Sequence, residues 1–296
     1  MISRAITTGN FDGCHLGHQK LFSFLKEKAF AQNLKPTVVS FEPHTRYLLG
    51  APGKPALLTS TEEKKQFIES LGIDFFTIPF THSLTQLPYS SFVEDYLEKD
   101  LQGKMFVFGY DHRMGAQGQG NYKTIINTFP HLQAFQMPAF YYKDELVSSS
   151  LVREAIENGQ IERGNEFLGR PYRLTGTVIK GKQLGRTLGF PTANIKTAPF
   201  KLIPRFGVYV GKVTLADGRY FRSVVNIGVQ PSLENQELAI EAHLLNFSED
   251  LYGVKVDLDL FSFIRPEQKF DSLDTLVYQI KKDAAYTSEL KNSLLP

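Results

Sequence analysis

Along the first half of the chain, short apolar runs take turns with amphipathic stretches. "AITTGNF" begins as a strand and runs out into polar residues, while "HQKLFSFLKEKAFAQN" places Leu21, Leu25 and Ala29 on one helical face. "PTVVSF" is short and β-branched, which predicts a buried strand. "STEEKKQFIESLG" opens with Ser60 and Glu63 at capping-box spacing and closes at Gly72. The strand-like "IDFFTIPF", the helical "SSFVEDYLEKD", the strand-like "MFVFG", then "HLQAFQMP" and the helix-like "SSSLVREAIENG" carry the series on. Strands alternating with helices predict parallel βαβ units with right-handed crossovers. Sheets of that kind bind ligands beyond the carboxyl ends of their strands.

The rhythm changes near "LGRPYRLTG". "YRLTGTVIKG" alternates, "GVYVGKVTL" and "RYFRSVVNIG" flank the turn "ADG", and "LAIEAHLLNF" and "VKVDLDLFSF" follow. Only the closing "SLDTLVYQIKKDAA" reads as a helix. Antiparallel strands with one late helix predict a small closed or nearly closed β-barrel. The boundary is expected near residues 165–168, which gives domains 1–167 and 168–296. A length of 296 residues suits two domains, and no internal repeat is visible.

Composition narrows the setting. No apolar run is long enough to cross a bilayer, and polar Thr7, Thr8 and Asn10 break up the N-terminus where a signal peptide would need an apolar stretch. The single cysteine, Cys14, excludes an internal disulfide framework, so the cytoplasm is the expected compartment. A formal net charge of +2, with no basic tail, gives no argument for nucleic acid or a membrane as partner.

The candidate chemistry starts at "GNFDGCHLGHQK". His15 and His18 stand three apart ahead of a helix. A helical zinc pair would be spaced four apart with a glutamate beside the first histidine, and that pattern is missing. A phosphate site fits better. Gly9, Gly13 and Gly17 allow close backbone approach, and the helix start offers free N–H groups to an anion. Two imidazoles on that first turn can donate hydrogen bonds to phosphoryl oxygens as charge builds.

These residues carry a resemblance. "GNFDGCHLGH" is similar to the HxGH signature of the nucleotidyltransferase superfamily. With "VVSFEPH", "LTSTEEKKQFIESLGID", "GYDHRMG" and "VSSSLVR", it resembles the adenylyltransferase half of the prokaryotic bifunctional FAD synthetases (riboflavin kinase/FMN adenylyltransferase). "GRTLGFPTANI", "GVYVGKV", "VVNIGVQPS", "IEAHLLNFSEDLYG" and "KFDSLDTL" resemble the riboflavin kinase domain of the same family. The motifs run in family order from residue 9 to residue 275. The implied fold is an α/β nucleotidyltransferase domain, Rossmann-like with a parallel sheet, followed by a small antiparallel β-barrel kinase domain with a C-terminal helix.

The resemblance implies two reactions. In the first half, the phosphate of FMN attacks the α-phosphorus of ATP, giving FAD and pyrophosphate. His15 and His18 match the phosphate-stabilising histidines. Gly9, Asn10 and Phe11 would line the ATP site, Asp111 would contact nucleotide or flavin, and Ser148, Ser149, Ser150 and Arg153 match the second nucleotide motif. In the second half, the γ-phosphate of ATP passes to riboflavin. Gly185, Gly189, Pro191, Thr192 and Asn194 would bind ATP or flavin, and Thr192 and Asn194 would hold Mg²⁺. Glu241 would be the general base, and Arg265 would lie near the flavin. His243 shares a strand face with Glu241 but is given no role, and Asn226 and Pro231 are expected to shape a loop, with Ser232 a conservative change from threonine. The substrates and products implied are ATP, riboflavin, FMN and FAD; a homo-oligomer is allowed but not required. Leu146, His112, Met114 and Thr45 depart from the family's usual residues. They leave open a second reading, a riboflavin kinase whose first half is a weakened adenylyltransferase or a flavin- or nucleotide-binding regulatory module.

Overall fold

The computed structural model describes residues 2–49, 56–181, 184–231 and 236–290. Ser232 lies outside them. The chain divides into two compact units, Met1–Ser149 and Ser150–Pro296.

The first unit is built on five parallel strands: β1 (Arg4–Thr8), β2 (Lys35–Glu42), β3 (Asp74–Pro79), β4 (Gly103–Phe108) and β5 (Gln133–Gln136). Their order is β3-β2-β1-β4-β5. The order reverses beside β1, so the crevice beyond the ends of β1 and β4 is the place where such a sheet takes a ligand. Neighbouring residues on a strand feed opposite faces. Ala5, Val38, Met105 and Val107 pack with Leu21, Phe22 and Leu25 of the Leu16–Ala31 helix, while Ile6, Val39, Phe106 and Phe108 pack with Phe92, Val93 and Ile125 on the other side. The Thr61–Ser70 helix has the expected capping box, with the Ser60 hydroxyl accepting from the Glu63 N–H and the Glu63 carboxylate from the Ser60 N–H. The "SSFVEDYLEKD" segment is helical, but Phe92–Asp100 is wound as a π-helix. Two short strands, β6 (Tyr141–Tyr142) and β7 (Glu145–Leu146), form a hairpin that no periodicity announced, because two residues are too few to show one.

The second unit is a closed barrel. Its strands are β8 (Tyr172–Ile179), β9 (Ala193–Thr197), β10 (Gly207–Leu215), β11 (Tyr220–Pro231), β12 (Gln236–Leu244) and β13 (Lys255–Arg265), in the order β10-β11-β12-β9-β8-β13. Leu174, Val178, Ile195, Val225, Ile227, Ile240, Ala242 and Leu258 fill it. The Leu273–Glu289 helix follows, capped by Ser272. The helices Ser149–Glu157 and Ile161–Leu168 precede β8. The second of these is seated on the barrel by Asn165, which donates to the Leu260 carbonyl (2.9 Å) and accepts from the Tyr172 N–H (2.7 Å). The compact second unit thus begins earlier in the chain than the change in sequence rhythm, because these helices pack with the barrel while their pattern continues the βα series.

Asn226 is not in a loop. It stands within β11, because "VVNIG" continues the strand's alternation.

Candidate functional site

In the first unit, β1 ends at Thr8 and the chain crosses to the helix through "GNFDGCH". This connection is strongly bent: Phe11 (φ 48°), Gly13 (φ 82°) and Cys14 (φ 43°) all lie in the left-handed region. Non-glycine residues hold that conformation only where their surroundings enforce it. Here the enforcement is a set of buried hydrogen bonds. The Asp12 carboxylate, 3% exposed, accepts from the Thr59 N–H at 3.1 Å, and the Thr59 hydroxyl accepts from the Gly13 N–H at 3.0 Å. The Asn10 side chain donates to the Thr45 hydroxyl at 2.7 Å. The Ser149 hydroxyl donates to the Asp12 carbonyl at 2.8 Å.

Lys64 holds the loop from beneath. Its amine is buried and donates to the Asn10 carbonyl (2.6 Å) and the Ser40 hydroxyl (3.1 Å). Burial lowers its pKa, and nearby Cys14, Asp12 and Glu42 oppose that shift.

This frame presents the two histidines. His15 caps the Leu16–Ala31 helix, its Nδ1 accepting from the His18 N–H at 3.4 Å. The two rings stack, with centroids 3.6 Å apart and planes 20° apart. The Phe11 ring packs edge-on against His18 at 5.2 Å. No acidic residue occupies the first turn, and the positive end of the helix suits an anion.

The "GYDHRMG" segment follows β4 and reaches the same crevice. His112 Nε2 lies 2.8 Å from the Thr8 hydroxyl, at the end of β1. Its ring sits 5.1 Å from that of Phe108, and burial pushes its pKa down to about 4. Asp111 is exposed beside it. Met114 is a buried core residue, paired with Gly120 across a single bridge.

In the second unit, Glu241 lies on β12 directly opposite Asn194 of β9 on one side and Asn226 of β11 on the other. Residues facing each other across a ladder point to the same side of the sheet, so these three form one polar row. Ile240, Ala242 and Leu244 are buried while Glu241 and His243 are half-exposed, which puts the row on the outside of the barrel. Thr192 precedes Asn194 by two residues, just ahead of β9, with its side chain beside Gly185. Hydroxyl and amide oxygens beside a carboxylate fit a hard cation such as Mg²⁺, which takes few protein ligands. The Gly185 carbonyl accepts from the N–H groups of Leu188 (3.2 Å) and Phe190 (2.8 Å), folding "GRTLGF" into a turn ahead of Thr192. His243 Nδ1 lies 2.9 Å from the Pro191 carbonyl and its ring meets Phe190 edge-on at 5.4 Å. A cavity of about 410 Å³ opens beside Pro191 and Thr192, and the Phe247–Tyr252 loop forms its far wall.

Two family models divide the chain between them. The model for FAD synthetase matches residues 2–151, and the model for riboflavin kinase matches residues 168–291. The bifunctional riboflavin kinase/FMN adenylyltransferase of Haemophilus influenzae is 35% identical over 98% of this chain and 94% of its own. That of Bacillus subtilis is 34% identical over 93% and 88%.

The chain belongs to the bifunctional riboflavin kinase/FMN adenylyltransferase family.

A solved structure named as a macrolide-efflux protein, from Streptococcus pneumoniae, shares the whole fold with this family member: TM-score 0.89, 27% identity, 98% of this chain and 95% of that one. Among the described residues, no helix is long and apolar enough to cross a membrane.

The candidate residues fall into groups. Gly9, Asn10, Phe11, His15, His18 and Ser149 meet around one loop, with Phe11 buried under His18 rather than open to a ligand. Ser148 adjoins them in sequence, whereas Ser150 and Arg153 belong to the second compact unit. Asn194 and Glu241 stand opposite each other across the β9–β12 ladder, while Thr192 lies beside Gly185 and lines the cavity with Pro191. Arg265 is engaged elsewhere: its guanidinium meets the Asp283 carboxylate of the C-terminal helix at 2.8 and 3.1 Å. Four side chains or segments have a placement that differs from, or goes beyond, what the sequence suggests. Lys64 hides among the charges of an amphipathic helix. His243 gave no signal of its partner, the Pro191 carbonyl. The Phe247–Tyr252 loop has no periodicity. Asn226 could have been found, since it alternates with Val225 and Ile227 and must face outward.

Proposed function

We propose that this riboflavin kinase and FMN adenylyltransferase divides its two reactions between the halves, with the adenylyltransferase over residues 1–167 and the kinase over residues 168–296. One observation carries the reading: a single chain holds two polar constellations, one at a helix start beyond β1 and one beside the cavity of the barrel.

In the first half, the phosphate oxygen of FMN attacks the α-phosphorus of ATP and the bond to pyrophosphate breaks. The work is alignment and charge neutralisation. His15 and His18 donate hydrogen bonds to the phosphoryl oxygens at the helix start, and the bent loop from Gly9 to Cys14 supplies backbone against the nucleotide. Ser148, Ser149, Ser150 and Arg153 bind phosphate, Arg153 as a fork, and Asp111 contacts the nucleotide or flavin. His112 and Met114 do not weaken this reading: the first keeps a ring against Phe108 and the second sits in the core.

In the second half, the riboflavin hydroxyl attacks the γ-phosphorus of ATP and ADP leaves. Glu241 accepts the hydroxyl proton, and Asn226 and Asn194 orient its carboxylate from either side. Thr192 and Asn194 would hold Mg²⁺, which supplies charge neutralisation at the ATP phosphates when bound. Gly185 and Gly189 shape the turn toward the phosphates, and His243 fixes Pro191. The cavity between Thr192 and the Phe247–Tyr252 loop receives ATP. We assign Arg265 to anchoring the C-terminal helix. The single cysteine and modest charge accord with a cytoplasmic enzyme of small molecules, without nucleic acid or membrane.

The test is a pair of variants. His15→Ala should lower FAD formation from FMN by at least about a hundredfold and leave FMN formation from riboflavin unchanged. Glu241→Ala should do the reverse. Loss of both reactions in either variant, with the fold intact by circular dichroism, would overturn the division.

A further inference from the structure

The Phe247–Tyr252 wall of the kinase cavity is a loop without secondary structure, yet it is fastened to the neighbouring hairpin. Arg219 sits at the turn between β10 and β11. Its Nε donates to Asp217 at 2.7 Å, and its two terminal nitrogens donate to both oxygens of Glu249, at 2.6 and 3.1 Å. Asp217 also accepts from the Arg219 N–H at 2.9 Å, so the turn itself aims the guanidinium. Glu249 lines the cavity. A second contact runs parallel to the first: Phe221, two residues after Arg219, meets the ring of Phe247 edge-on at 4.7 Å. The loop is therefore held at its start by an aromatic contact and in its middle by a fork.

Isolated surface ion pairs contribute little, but a two-pronged guanidinium–carboxylate contact inside a three-charge network is the exception. All three side chains are about half exposed, so replacing them threatens no core.

We propose that Arg219 is a positioning residue of the kinase half: through Glu249 it fixes the Phe247–Tyr252 wall and so sets the affinity for ATP without touching the reacting atoms. The proposal rests on the reading of this cavity as the ATP site.

The test measures the riboflavin kinase reaction of the full chain at varied ATP, with FMN adenylylation by the same samples as an internal control. Arg219→Ala should raise KM for ATP about fivefold, leave kcat within about twofold, and leave FAD formation from FMN unchanged. Arg219→Glu should raise KM further, and the double variant Arg219→Glu/Glu249→Arg should recover part of the loss, because it restores opposite charges across the gap. Ser248→Trp, which places bulk in the cavity itself, should also raise KM for ATP. A normal KM in Arg219→Ala with a raised KM in Ser248→Trp would overturn the tether. An unchanged KM in Ser248→Trp would overturn the ATP reading of the cavity, and the proposal with it. A fall in kcat matching the rise in KM would mark Arg219 as merely structural.

Discussion

His15 and His18 are held as a pair by the residues around them. One caps the helix with a ring nitrogen, the other stacks on it, and Phe11 closes the far edge. Lys64 secures the backbone below. Lys64→Met keeps the side chain's length but removes the amine, leaving the Asn10 carbonyl only the longer hydrogen bond from the Ser40 hydroxyl (3.3 Å) and that hydroxyl without its donor, a loss of about 1–3 kcal/mol. FAD formation from FMN should fall at least about tenfold, with riboflavin phosphorylation intact; equal rates in variant and parent would contradict the role. His112 makes a different prediction. Its folded pKa of about 4 lies below the ordinary 6.5, so the unfolded chain binds the extra proton between those values. The stability it protects is complete above pH 6.5 and drains away as pH falls toward 4, by up to about 3 kcal/mol. His112→Phe keeps an aromatic ring there and removes the proton. Urea denaturation at pH 7 and pH 5 should show a smaller loss on acidification in the variant than in the parent. The partners of Lys64 and His112 could not be read from the sequence, because Thr8 and His112, or Lys64 and Asn10, are far apart in the chain and only the fold joins them.

At the scale of elements, the legible features were those with a period. The βα alternation, the Ser60 capping box and the out-facing Glu241 all follow from spacing, and each stands where spacing puts it. The connections were less legible. The "GRTLGF" turn depends on Gly189, whose φ of +86° lies in the left-handed region with open space where a side chain would go. Its replacement by alanine meets no clash, only backbone strain of about 1–2 kcal/mol. Gly189→Ala should therefore lower kinase kcat/KM about tenfold while the unfolding temperature falls by about 2–4 °C per kcal/mol of that strain. A kinase of parental efficiency would show that the turn does not need this conformation. The early start of the second compact unit was illegible for a related reason: the Ile161–Leu168 helix carries an ordinary amphipathic pattern, and only Asn165, by bonding to β8 and β13, reveals what it packs on.

For the whole molecule, ordered motifs mattered more than any one of them. An HxGH pair alone, or a "PTAN" alone, would have been compatible with a helix start and a turn. Two sets in family order, on a parallel sheet with a reversal at β1 and on a closed barrel, leave one chain equipped for two phosphate-transfer chemistries. The product of the second half is the substrate of the first, and the two sites need share nothing but solvent for FMN to pass between them. The most direct measurement incubates the purified chain with riboflavin, ATP and Mg²⁺ and resolves riboflavin, FMN and FAD by chromatography over time. FMN should rise first and then give way to FAD. FMN that accumulates without FAD, even when FMN and ATP are supplied directly and under reducing as well as oxidising conditions, would contradict the account and leave a kinase with a silent first half.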